Sequence, residues 1–113
     1  MFVTNQTFQG NLGGVAGGDE LCQTAADSSV LTQGGIYKAW LSGTTADSSP
    51  SMRFTNLDKV GPYVRVDGEI VANDWDDLTT AKGNDFLRAR LNLTELGTGH
   101  GQTGTWTGTS TAG

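Results

Sequence analysis

Basic side chains are scarce in this chain. Seven lysines and arginines face twelve acids, giving a net charge of −5 and a pI near 4.5. Phosphate backbones are gripped by clustered Lys and Arg, so the balance speaks against nucleic acid. It speaks equally against a heparin-like chain or an anionic membrane surface. Histidine is limited to His100 and cysteine to Cys22. One of each cannot furnish the ligand set of a standard zinc site, and no cofactor is expected. A nucleophilic triad would need Ser or Cys and an acid converging on His100, but no nucleophile elbow is present. Within Gly99-His100-Gly101 that histidine reads as an exposed loop residue. No apolar run reaches the roughly 18 residues of a membrane helix. Met1-Phe2-Val3-Thr4 lacks the basic and apolar regions of a signal peptide, so the stretch is either cytoplasmic or missing its leader.

Proline is rare as well, with 2 residues against 17 glycines, so the loops are bent rather than stiffened. The charged fraction is low at 17%, yet aromatics and β-branched residues are present. This is not the composition of a disordered chain. With 113 residues the chain makes one domain, 1–113, with neither repeat nor linker.

Phe2-Val3-Thr4 has the character of a short strand. Gly10, Gly13, Gly14, Gly17 and Gly18 then crowd a segment that reads as structural turns. Gly10-Asn11-Leu12-Gly13-Gly14 lacks the Lys-Ser/Thr ending of a phosphate loop. Asp19 and Glu20 suit a helix N-terminus, and Leu21, Cys22, Ala25 and Ala26 form one apolar stripe. The expectation is a helix near Asp19 to Val30 with Cys22 facing the core, leaving at Gly34-Gly35. Ile36 to Leu41 reads as a strand and Ser42 to Ser51 as a surface loop. Asp67-Gly68 between Tyr63-Val64-Arg65-Val66 and Glu69-Ile70-Val71-Ala72 predicts a hairpin on a two-residue turn. Asn73 is placed to cap a short helical turn carrying Trp75 and Leu78 inward. From Phe86 to Thr94 the apolar residues alternate, as on a half-buried strand, with Arg88 and Arg90 on its polar face. Gly97 to Gly104 reads as a loop and Thr105 to Thr109 as a further strand. The fold class expected is α+β, with one main helix and short mixed or antiparallel strands joined by long loops.

A set of motifs runs in order through the chain. It comprises Phe2-Val3-Thr4, Gly10-Asn11-Leu12-Gly13-Gly14, Gly18-Asp19-Glu20-Leu21-Cys22, Tyr37-Lys38-Ala39-Trp40-Leu41-Ser42 and Arg53. After these come Pro62-Tyr63-Val64-Arg65, Asp67-Gly68, Val71-Ala72, Trp75, Leu78, Asn92-Leu93-Thr94-Glu95 and Trp106-Thr107-Gly108-Thr109. This order resembles a bacterial secreted domain family of unknown function whose layout is endostatin-like, within the C-type-lectin-like fold. The resemblance covers nearly the whole chain. It implies an extracellular or cell-surface location, and a domain that continues past Gly113 with a Cys-x-x-Trp segment and a further cysteine. It implies too that Cys22 is a half-cystine whose disulfide partner lies outside this chain. On residue chemistry alone, a free buried cysteine, behaving as a small hydrophobe, is the favoured account.

Four further features carry chemistry. Asn73, Asp74, Asp76 and Asp77 form the densest oxygen cluster, but they match neither an EF-hand loop nor the calcium signatures of sugar-binding lectins. Helix capping explains them more simply, and no metal is expected. Glu95 reads as a buried, hydrogen-bonded carboxylate, since glycoside chemistry would need a second acid at a set separation. Trp40, Trp75 and Trp106 sit among apolar neighbours and read as packing residues rather than ligand platforms. Asn5-Gln6-Thr7 and Asn92-Leu93-Thr94 match the N-glycosylation pattern. The expected function is a non-enzymatic recognition module binding a protein or glycan through its loops. The alternatives are a structural or assembly domain in a larger exported protein and, remotely, a carboxylate-dependent hydrolase.

Overall fold

The computed structural model describes residues 1–80 and 87–101. It is an α+β arrangement of one long helix, α1 (Gly14–Asp27), a four-residue α2 (Pro50–Arg53), a hairpin of β1 (Tyr63–Val64) and β2 (Ile70–Ala72), and a short α3 (Trp75–Thr79). A 3-10 turn over Ala46–Ser48 precedes α2.

Helix α1 begins five residues before the expected start, so Asp19 and Glu20 lie inside it and its first turn holds no acid. Of the glycines read as turns, Gly14, Gly17 and Gly18 lie in its opening and Gly13 caps it, while Gly10 stays in the bend before it. Gly13 takes φ 77° at the N-cap. A Cβ on Gly17 would fall 1.9 Å from the Leu12 carbonyl oxygen, and one on Gly18 2.4 Å from Leu41 Cδ1. The missing side chains let the incoming chain and the 39–41 segment lie directly on the helix. The helix stops at Asp27, where Ser28 Oγ donates to the Ala25 carbonyl. Beyond it Thr32 Oγ1 donates to the Ala26 carbonyl at 2.7 Å.

Among the described residues Ile36 to Leu41 joins no sheet. Side chains take the place of a neighbouring strand. Gln23 Oε1 accepts from the Tyr37 N–H and Asp19 Oδ1 from the Ala39 N–H, both at 2.8 Å. Arg53 Nη1 donates to the carbonyls of Ala39 and Leu41. Backbone groups must be paired somewhere, and here α1 and α2 supply the partners.

The hairpin is present, with Val64 opposite Ile70 and Tyr63 opposite Ala72 around a bulge. Its turn is longer than expected. The Arg65 N–H donates to Glu69 O and the Gly68 N–H to Arg65 O, so Val66, Asp67 and Gly68 form a three-residue loop with Gly68 at φ 88°. Among the described residues the Phe2–Thr4 strand reduces to one parallel bridge, Val3 to Thr94. The 87–94 segment lies along β2 through the Arg88 N–H to Val71 O bond, without forming a regular strand. Its alternation holds for buried Ala89 and half-buried Leu91 and Leu93, but Leu87 is exposed and Thr94 buried. Phe86, the expected strand at Thr105–Thr109 and Trp106 lie outside the described residues.

The buried apolar side chains among the described residues are small: Ala26, Ala39, Val71, Ala72 and Ala89. Polar side chains share the interior, and Ser29 Oγ donates to the Glu95 carbonyl at 2.6 Å.

Candidate functional site

Three half-buried rings meet where the extended segment, α2 and α3 converge. Trp40 packs edge-on to Phe54 with centroids 5.7 Å apart, and tilted on Trp75 at 5.4 Å. Phe54 and Trp75 close the triangle at 5.8 Å. Phe54 caps the C-terminus of α2 and Trp75 opens α3, so each helix end fixes one ring.

Three of the chain's seven cations ring this cluster. Lys38 Nζ and Arg53 Cζ each lie 5.7 Å from the Phe54 centroid, and Lys59 Nζ lies 5.0 Å from that of Trp75. Such contacts are each worth about 0.5–1 kcal/mol where solvent reaches them. Lys38 pairs with Asp58 and Arg53 with Asp19, both at 2.6 Å. The Lys38 ammonium holds the Asp58 carboxyl below its ordinary value. Asp58 also orders its own loop, accepting from the Thr55 N–H and hydroxyl, while its carbonyl receives the Tyr63 hydroxyl at 2.8 Å. Burial pushes the Tyr63 phenol upward. Lys59 differs from its neighbours. Its ammonium donates to the Ser51 carbonyl at 2.6 Å and faces Trp75, and no carboxylate among the described residues pairs with it. The same loop exposes Met52, Leu57 and Val60, 66%, 88% and 65% accessible.

This convergence of Lys38, Phe54 and Lys59 on the tryptophans is invisible to motif reading. Phe54 and Lys59 belong to no pattern in the sequence, and only the folding of the 50–60 loop against α3 brings them to the tryptophans.

The acidic cluster is drawn into capping. The cap is Asp74 rather than Asn73: its Oδ1 accepts from the Asp77 N–H at 2.9 Å. Asp77 Oδ2 in turn accepts from the Asn73 N–H at 2.8 Å and meets Arg88 Nε at 3.2 Å. Those contacts, the Asn73 N–H first, hold the Asp77 carboxyl below its usual range. Asp76 is exposed. Among the described residues no three His, Cys, Asp or Glu side chains form a metal-holding group.

Glu95 is 5% accessible, and its Oε2 accepts from the Asn5 N–H at 2.8 Å. It thereby ties the start of the chain to the 93–99 turn. Cys22 is half-buried and free. Burial raises its thiol pKa, and the charges of Asp19 and Glu95 raise it further, so thiolate chemistry is disfavoured there. His100 is half-exposed, with Nδ1 3.0 Å from the Gly101 carbonyl and its N–H bonded to Asn92 O. Asp67 and Gly68 stand at the hairpin tip, Asp67 paired with Arg65 at 2.7 Å. An open groove of about 570 Å³ lies between Leu12 and the Gly17–Leu21 stretch of α1. Among the described residues Glu20 is the ionisable group that lines it. No helix among the described residues is long and apolar enough to cross a membrane.

The model of a family described as a protein of unknown function, DUF1554, matches residues 5–112, and the chain belongs to that family. No curated protein and no solved structure matches it.

Proposed function

We propose that this DUF1554 domain is a non-enzymatic recognition module of an exported bacterial protein, acting outside the cell or at its surface. It holds a protein or glycan partner through its loops. The supporting observation is the 50–60 loop, where Met52, Leu57 and Val60 stand in solvent on the same stretch that sends Phe54 and Lys59 to the Trp40 and Trp75 rings. Aromatic anchors with exposed aliphatic neighbours and a cationic rim are the composition of interface hot spots. The endostatin-like, C-type-lectin-like layout implied by the motif order, and a disulfide from Cys22 to a cysteine outside this chain, belong to the same reading.

The test is a glycan array and a panel of surface proteins probed with the wild type and with Leu57→Ser and Lys59→Glu. Binding lost in both variants, with unchanged circular dichroism, supports the loop as the grip. A ligand held equally by both removes it. Turnover abolished by Glu95→Gln or His100→Ala would overturn the non-enzymatic reading.

The second reading is an assembly domain inside a larger surface protein. It draws on Val30 and Ile36, 82% and 91% accessible, which packing between copies would bury. Light scattering on the parent protein separates the two, because a polymer that needs no soluble ligand favours assembly.

A further inference from the structure

Asp67-Gly68 is the one place in the chain where glycine follows an aspartate or asparagine. Glycine has no Cβ to hinder ring closure, so in an open chain this is where backbone isomerisation runs fastest. The Gly68 nitrogen attacks Cγ of the Asp67 carboxyl, and an N–Cγ bond forms. One carboxyl oxygen leaves as water with the acid proton and the amide proton, giving a five-membered succinimide. Water then opens the ring. Breaking the bond from nitrogen to the Asp67 α-carbonyl yields isoaspartate of unchanged mass, and breaking the other restores aspartate. Water is the sole co-reactant.

The hairpin tip leaves room for the reaction. Asp67 is 43% accessible, and nothing lies within 4 Å of a Cβ placed on Gly68. Three contacts oppose it. Arg65 Nε donates to Asp67 Oδ1 at 2.9 Å and Nη2 to Oδ2 at 2.7 Å, a two-pronged grip that fixes the carboxylate plane. The Glu69 N–H adds a bond to Oδ1 at 3.3 Å. The attacking nitrogen is itself engaged, its N–H donating to Arg65 O at 2.9 Å. A carboxylate held ionised has no hydroxyl to lose as water, and a pinned one cannot turn Cγ toward Gly68. Arg65 is in turn anchored by the Arg90 carbonyl at 2.9 Å and Asn92 Oδ1 at 3.2 Å.

We propose that Asp67 is a latent isomerisation site held closed by Arg65, and that the hold depends on the docking of residues 90–92 against the hairpin. Isoaspartate would add a backbone carbon between Asp67 and Gly68 and break the turn bond from Gly68 to Arg65. The site thus records how long the hairpin has been detached.

The test is prolonged warm incubation at neutral pH. Isoaspartate at Asp67 is scored by isoaspartyl-methyltransferase labelling and by resistance to a protease that cleaves before aspartate, mapped on the hairpin peptide by mass spectrometry. The native wild type is expected to convert several-fold more slowly than the same chain in urea. Arg65→Gln, folded by circular dichroism, is expected to approach the urea rate, while exposed Asp47, followed by Ser48, stays unchanged between variants. If Arg65→Gln does not fold, Arg65→Lys keeps the charge without the fork and is read the same way. A native wild type as fast as the urea-unfolded chain overturns the proposal. So does a folded Arg65 variant as slow as the wild type.

Discussion

Arg53 shows how much one side chain can organise. Its guanidinium pairs with Asp19 on α1 and donates to the Ala39 and Leu41 carbonyls, while only 12% accessible. Truncation strips those carbonyls of their donor and leaves Asp19 without its cation. Hydrogen bonds to charged groups are worth about 1.5–3 kcal/mol each, so Arg53→Ala is expected to cost about 2–3 kcal/mol in urea denaturation. Arg88, 57% accessible beside Asp77, supplies the contrast. An exposed pair contributes about 0–1 kcal/mol, and Arg88→Ala should leave the midpoint nearly unmoved.

Asp67 carries the pH dependence at this scale. The Arg65 guanidinium lowers its carboxyl from 3.8 to about 2, and Asp58 and Asp77 are lowered too. A depressed folded value means the unfolded chain takes up protons first as pH falls. The stabilisation is therefore complete above about 3.8 and lost as pH drops toward 2. Asp67→Asn removes one of the three groups. An acid titration of tryptophan fluorescence should show a shallower loss of stability in that window, whereas an unchanged curve would mean that the Arg65 pair contributes nothing.

Among the elements, α1 tests whether propensity or contact decides. Alanine is favoured over glycine in a helix by about 1 kcal/mol, which predicts a stabilised Gly17→Ala. The Leu12 carbonyl at 1.9 Å from the new methyl predicts the reverse. Backbone cannot swing aside as a side chain can, so overpacking of about 1–3 kcal/mol should win and lower the thermal midpoint. In α3, Asp74→Ala should cost about 1 kcal/mol and Asp74→Asn little, since asparagine caps as well. The elements legible in the sequence were those with local causes: the apolar stripe of α1, the glycine at the hairpin turn, a capped turn before Trp75. Those misread have distant ones. Ile36–Leu41 has strand composition but finds its hydrogen bonds in Gln23, Asp19 and Arg53. Gly17 and Gly18 read as turns because the Leu12 and Leu41 contacts that require them are not visible locally. The candidate site was half legible, its tryptophans prominent but Phe54 and Lys59 brought to them only by the fold of residues 50–60.

For the whole molecule, the interior and the surface share one character. Among the described residues the interior relies on Val71, four alanines and polar cross-links such as Ser29 to Glu95, and the large aliphatics Val30, Ile36, Met52, Leu57 and Val60 are left in solvent. A net charge of −5 at pH 7 keeps copies apart by repulsion, and that repulsion vanishes near the pI of about 4.5. Exposed apolar surface at zero net charge promotes association. At that pH the carboxylates of Asp67, Asp58 and Asp77 are still ionised in the fold, given their lowered values, so association there involves the folded chain rather than an acid-unfolded one. Light scattering should therefore rise as pH approaches 4.5 while tryptophan fluorescence stays native. Replacing both Met52 and Leu57 with serine leaves the net charge untouched and removes apolar area from the loop beside Lys59. If that loop is the adhesive face, the double variant scatters less at the same pH. If scattering is unchanged while Val30→Ser with Ile36→Ser reduces it, the adhesive face lies by Val30 and Ile36, and the assembly reading gains over recognition by the 50–60 loop.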